Sequence, residues 1–343
     1  MEFIEDSLKI IFWKFMLMSP RLLQVTTSGE KFLHHDSGLG DPKRLIVFAT
    51  HRNIELLKHC NEWFMDGTFK SCPSIFYQMF TIHVKLMSGK TVPVIYSFLS
   101  SKDAATYASL FSVLKEALDG FLPRLIHLDF ERAVIAEVSA SFPGADIVGC
   151  NFHFNQCLWR HIQHEPTLRE QYLSNLDCNL NLRMLAALAF VPCKDVRQAF
   201  GTLLETEFFR TNMISLSSFV NYFEKTWIGR EFGAAVFPLE WWNSYEATRQ
   251  GIARTNNAVE GWHSAFQRRL GSSNPTFYKL IEQLKLEQGM MEFGVDNTAA
   301  RGNDTPPKRV YRDRQRRLNE LVESYENYDR IEYLTAVAQN IKF

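Results

Sequence analysis

Cysteine is sparse in this 343-residue chain, and its six copies, at 60, 72, 150, 157, 178 and 193, form no Cys-x-x-Cys pair. That excludes a disulfide scaffold and the usual zinc-finger or zinc-ribbon spacings, and it points to a reducing compartment. Charge of one sign is also missing. Lys and Arg total 38, Asp and Glu total 38, so no global field draws the chain to a polyanion, and any contact with nucleic acid must come from local patches. No apolar run approaches the roughly 20 residues of a membrane span. The longest, residues 10–18, is interrupted by Lys14, and Glu5 and Asp6 before it argue against a secretory leader. It reads as a buried or partner-facing helix. Glycine and proline are few, 17 and 12, which excludes a low-complexity chain, and there is no internal repeat.

What is present is a globular composition, 46% apolar and 13% aromatic. Strand patterns occur at 44–50, 62–69, 75–86 and 91–99, with Ser88-Gly89-Lys90 as a hairpin turn between the last two. Residues 104–119 carry a helical stripe behind Asp103, a good N-cap, and Pro123 ends that element. A further strand at 124–130, a helix through Val134, Val138 and Phe142, and a last strand at 145–150 complete, from residue 62 onward, the order β-β-β-α-β-α-β-α. Three antiparallel strands followed by parallel β-α units is the order of an RNase H-like sheet. Nearly continuous apolar strands imply that both faces are covered. From 151 to about 250 the periodicity is helical, so an all-α insertion is expected before a last helix at 257–270, with another over 275–290. The expected organisation is an N-terminal segment (1–45), a first core part (46–162), the insertion (163–250), a second core part (251–293), and a linker, basic run and solvated C-terminal helix (294–343). Residues 301–317 hold seven Lys/Arg against two Asp and suit a phosphate contact or a nuclear address.

Chemistry enters with acids inside apolar strands. Asp66, followed by Gly67, sits in one, and Asp129 ends another. Aspartate is disfavoured in strands and rarely buried alone. Two carboxylates on neighbouring strands about 4 Å apart repel by roughly 4 kcal/mol at an effective dielectric near 20. Shared divalent cations remove that cost, and oxygen donors favour two Mg²⁺ or Mn²⁺. Glu260 is the candidate third carboxylate. Asn257-Ala-Val-Glu260 also has the spacing of a capping box, so a local structural role stays open. Turn and helix-cap readings stay open for Asp66 and Asp129 in the same way. Cys150, His153, Cys157 and His161, spaced 3, 4 and 4, would share one helical face and form a conceivable zinc site, against a reading as core residues. Trp227, Trp241 and Trp242 suit either core packing or base stacking.

Four segments together resemble Mutator-like element (MULE) transposases: Trp63-Phe-Met-Asp-Gly-Thr-Phe69, Ile126-His-Leu-Asp-Phe-Glu131, Gly149-Cys-Asn-Phe-His-Phe-Asn-Gln156 and Arg254-Thr-Asn-Asn-Ala-Val-Glu-Gly-Trp-His263. The resemblance spans about residues 30–290. It implies an RNase H-like catalytic domain whose triad Asp66, Asp129 and Glu260 is both catalytic and metal-binding. It also implies a Cys-x-x-His pair, Cys150 and His153, with a structural or active-site-proximal role that His263 would share. Lys70, Arg132, Arg254, Arg268 and Arg269, with Trp241 and Trp242, are the expected DNA contacts. Transposon ends and target DNA are the expected partners, a homo-oligomer on DNA the expected assembly, and the nucleus the expected location. Family members usually carry a separate DNA-binding module, and none is visible here. The alternative is therefore a host-adopted, inactive DNA-binding or chromatin protein on the same fold.

Overall fold

The computed structural model describes residues 23–230, 233–301, 309–341 and 343. The apolar segment at 10–18, and residues 302–308 of the basic run, lie outside the described residues. The chain divides into two compact units, Met1–Ile147 with Asn256–Thr305, and Val148–Thr255 with Pro306–Phe343.

The first unit is built on a mixed sheet. In chain order, β1 (Leu33–Asp36) and β2 (Leu45–Phe48) precede helix α1 (His51–His59). Then come β3 (Glu62–Thr68), β4 (Gln78–Lys85) and β5 (Thr91–Leu99), helix α2 (Ala104–Leu118), β6 (Leu125–Leu128), helix α3 (Arg132–Ser141) and β7 (Asp146–Gly149). The sheet has seven strands in the order β1-β2-β5-β4-β3-β6-β7. Strand β4 lies between β3 and β5 and pairs antiparallel with both, and β6 runs parallel to β3. Two more helices belong to this unit, numbered in chain order: α11 (Asn257–Leu270) and α12 (Phe277–Arg301).

Local chemistry accounts for the element ends. The Asp103 carboxylate accepts from the Thr106 amide at 2.9 Å and starts α2, and Thr50 accepts from the Asn53 amide at 3.2 Å to start α1. Strand β1 was not expected from sequence. Its residues, Leu33-His-His-Asp36, carry no apolar run because it is a half-buried edge strand.

Both faces of the sheet are covered. One face carries Ile46, Phe48, Met79, Tyr96 and Phe98, packed with Phe266 and Phe277 of α11 and α12. On the other, Trp63 meets Phe142, and Phe80 meets Tyr107 of α2. Gly67 is required by close packing on this second face, since a Cβ there would lie 2.5 Å from Gln78 Oε1. The linker expected to begin at residue 294 is corrected in its first part, because α12 continues through Arg301.

The second unit is helical. It contains α4 (Asn151–His164), α5 (Pro166–Ser174), α6 (Leu176–Ala187), α7 (Val196–Leu204) and α8 (Glu207–Phe223), which runs on as a π-turn over Glu224–Ile228. Short helices α9 (Leu239–Trp242) and α10 (Tyr245–Arg249) follow, then α13 (Arg309–Glu323) and α14 (Arg330–Asn340). The tail was expected to be a solvated helix. Instead α14 buries Tyr333, Leu334 and Val337, and the Tyr333 hydroxyl donates to the Phe190 carbonyl. Among the described residues no helix is long and apolar enough to cross a membrane.

Candidate active site

Strand pairing sets the first two acids side by side. In the parallel pair β3–β6, Glu62 lies opposite Leu125 and Phe64 opposite His127. Carrying that register two residues further sets Asp66 level with Asp129, one residue past the end of β6. Phe64 and His127 stack at 4.2 Å with rings 4° from parallel, so this pair shares one face. Alternation along a strand turns Asp66 and Asp129 toward that same face. Neighbouring strands are about 4.8 Å apart. Both acids thus stand at the carboxyl ends of adjacent parallel strands, where open α/β sheets bind ligands. Asp66 is buried and Asp129 half-buried.

Helix α11 approaches the same face. His263 Nδ1 lies 3.1 Å from Asp66 Oδ2, and His263 Nε2 lies 3.0 Å from Thr81 Oγ1. Thr81 is the residue paired with Asp66 across β3 and β4, and its hydroxyl also meets His83 Nε2 at 3.1 Å. Asp66 can only accept, so Nδ1 of His263 carries the hydrogen. On a neutral His263 ring, Nε2 then accepts from the Thr81 hydroxyl, which accepts in turn from His83 Nε2–H. Burial, reinforced by the neighbouring His263 ring, holds His83 well below the usual histidine range, in keeping with its place as a neutral donor. The chain of donors ends on Asp66.

Glu260 lies one turn before His263 on α11, on the same side of the helix, and is half-buried. The helix starts at Asn257 with Asn256 as its cap, and the Glu260 amide donates to the Asn256 carbonyl at 2.9 Å. Glu260 is therefore the fourth helical residue, one place too far for a capping box, and that local reading is corrected. Thr81 and His83 were missed from sequence. The signal was present: two polar residues, two apart, inside an apolar strand.

On the opposite face at the same sheet end, Gln78 Nε2 donates to the Tyr107 hydroxyl at 2.8 Å, and that hydroxyl donates to Glu131 Oε1 at 3.2 Å. Burial pushes the Tyr107 phenol well above its ordinary range. This bond steers the Glu131 carboxylate.

The other expected residues are placed as follows. Cys150 is fully buried and caps α4, with His153 in the first helical turn. His161, the last of the four spaced Cys/His residues, stacks on Tyr222 at 4.1 Å and faces Glu165 at 3.6 Å. Lys70, Arg132 and Arg268 are exposed, and Arg269, also exposed, pairs with Glu287. Arg254 is half-buried, its guanidinium 5.2 Å from the Phe190 ring centre and donating to Gln315. Burial lowers its pKa to about 10. Trp241 is half-buried. The base-stacking reading of Trp242 is corrected. Its ring is fully buried, stacked on Phe154 at 5.0 Å, and its Nε1 donates to the Trp227 carbonyl at 3.0 Å. An indole closed in on these sides has no face for a base.

Residues 62–157 match the MULE transposase domain. The matched span runs from β3 into α4 and holds Asp66, Asp129, Cys150 and His153, while Glu260 and His263 lie beyond it. Comparison with curated proteins finds no match.

Proposed function

Taking the MULE transposase domain as the premise, we propose that this chain is a DDE-type DNA transposase catalytic domain on an RNase H-like sheet, with Asp66, Asp129 and Glu260 holding two divalent cations. The observation that carries the reading is the parallel register of β3 and β6, which, carried two residues on, sets Asp66 level with Asp129. Two carboxylates about 5 Å apart repel by roughly 3 kcal/mol at an effective dielectric near 20, a cost that bound cations relieve. The three proposed donors are carboxylates, a set that suits Mg²⁺ or Mn²⁺. Such cations would supply Lewis acidity and neutralise charge building on a phosphodiester.

The protein's own part is position. His263 Nδ1 lies 3.1 Å from the Asp66 carboxylate, and its other ring nitrogen is held by Thr81. Exposed Lys70, Arg132, Arg268 and Arg269 would hold the DNA backbone. Hydrolysis at an element end frees a 3′-hydroxyl, which then attacks a target phosphodiester and displaces a second 3′-oxygen. The substrate is DNA, the assembly a homo-oligomer on it, and the location the nucleus.

The test is strand transfer by purified protein with Mg²⁺ and candidate element ends, beside Asp66→Asn and Asp129→Asn. Loss of transfer in both folded variants supports the assignment, and transfer at the normal rate by either one refutes it. A host-adopted protein that binds DNA without cutting it is the second reading. Mg²⁺ binding without cleavage of any DNA would select it.

A further inference from the structure

Two aromatic side chains stand out of the first unit at the sheet end that carries the acids. Phe69 directly follows β3, and Tyr77 directly precedes β4. They are 49% and 46% exposed, and their rings meet edge to face at 5.4 Å. The chain between them is not loose. It buries Ser71, Cys72 and Phe76. It is tied by Ser71 Oγ donating to Gln267 at 2.6 Å, by Asn274 N donating to the Lys70 carbonyl at 3.0 Å, and by Tyr77 N donating to the Leu99 carbonyl at 2.8 Å. A loop this well anchored that still leaves two rings half in water presents them on a rigid support. Cations flank them: Lys70 is the next residue after Phe69, and Lys102 Nζ lies 6.0 Å from the Tyr77 ring centre, both exposed.

We infer that Phe69 and Tyr77, with Lys70 and Lys102, form a docking corner for an unpaired base of a DNA strand whose phosphates reach the Asp66–Asp129 pair. The inference rests on the transposase reading for its substrate. Aromatic faces stack on any base, and neighbouring lysines neutralise phosphates. A base still paired inside a duplex has no free face to offer, so the corner selects frayed, overhanging or extruded nucleotides. Phe69 is three residues beyond Asp66. At about 3.3 Å per residue that is about 10 Å, or roughly three phosphate steps at duplex spacing.

The test uses the full chain in EDTA, so that nothing is cut. One DNA duplex carries a short 3′ overhang containing 2-aminopurine, and a blunt duplex of equal length serves as control. The wild type is expected to prefer the overhang and change its fluorescence. The double variant Phe69→Ala, Tyr77→Ala should lose about tenfold in overhang affinity and less than about twofold for the blunt duplex, and Phe69→Tyr should keep both. Both rings are half exposed, so the double variant keeps its core, which circular dichroism would verify. Equal loss on both duplexes, no loss, no preference by the wild type, or tighter binding of an RNA strand of the same sequence would each overturn the inference. A wild type that prefers the overhang yet never cuts DNA defeats the transposase reading and leaves the docking corner standing.

Discussion

His263 Nδ1 lies 3.1 Å from the Asp66 carboxylate, across a contact between α11 and β3 that the chain order alone does not suggest. The same ring meets Thr81 through Nε2, so it bridges Thr81 and the acid. Groups that orient a metal-binding carboxylate commonly change affinity or activity by about 10–100-fold when removed. His263→Ala is expected to lower Mg²⁺-dependent DNA cleavage by about that factor. His263→Asn, whose amide can reach the Nδ1 position, should recover part of it. Cleavage by His263→Ala at the wild-type rate would show that Asp66 needs no such support.

The paired acids also make a prediction about stability. Without divalent cations, Asp129→Asn removes like-charge repulsion beside Asp66, and thermal melting in EDTA should show no loss of stability. Adding Mg²⁺ or Mn²⁺ should raise the wild-type midpoint and leave the variant nearly unmoved, because cation binding stabilises only the state that binds.

Acid should weaken the fold from a definable point. His83 is held well below its ordinary value near 6.5 by burial, with His263 adding to the effect. Burial likewise lowers His127, although its bond to Glu62 opposes that shift. Both rings are less basic folded than unfolded, so the unfolded chain takes up more protons. Stability is therefore present above about pH 6.5 and falls as pH drops toward the folded values, by up to about 1.4 kcal/mol per pH unit for each ring. Glu62 extends the trend downward. Burial alone would raise it, but bonds from His127 and Lys85 outweigh that and hold it low, so its contribution is lost only when it protonates below its ordinary value near 4.5. Denaturation at pH 7.5, 6.5 and 5.5 checks this, and His83→Gln should flatten the slope by about one proton.

Trp242 should behave as a core residue. Trp242→Ala is expected to cost about 3–5 kcal/mol in unfolding free energy. Whatever fraction remains folded should bind DNA as the wild type does.

The basic residues separate in the same way. Lys70→Ala and Arg132→Ala, both at exposed positions, should each reduce the slope of log affinity against log salt by about one. Arg254→Ala should lower stability instead, since its guanidinium is occupied by Phe190 and Gln315. An unchanged salt slope for Lys70→Ala would remove it from the DNA surface.

Much of this was legible in residue order. The pattern at 257–270 gave α11 its observed limits, Asn257–Leu270, because helical periodicity and the stop at Gly271 are local facts. Asp103 marked the start of α2, and the apolar runs marked β3, β4 and β5, for the same reason. An aspartate inside an apolar strand announced that Asp66 needed a partner. It did not say that the partner was His263. Aromatic rings at Trp227, Trp242 and Phe69 look alike as text, yet the fold closes the first two into a core and leaves Phe69 half in water.

Composition and periodicity by themselves determined the mixed α/β character, the order of the core elements from β2 to α4 and the candidate acids, since each depends on spacings within a few turns or strands of chain. Only the tertiary structure decided which strands lie adjacent, that Asp66 and Asp129 fall at one level, and which rings and cations face solvent. Those outcomes depend on contacts between residues far apart in the chain. A side chain's own chemistry sets the cost of burying it alone, and the fold chooses which distant group removes that cost.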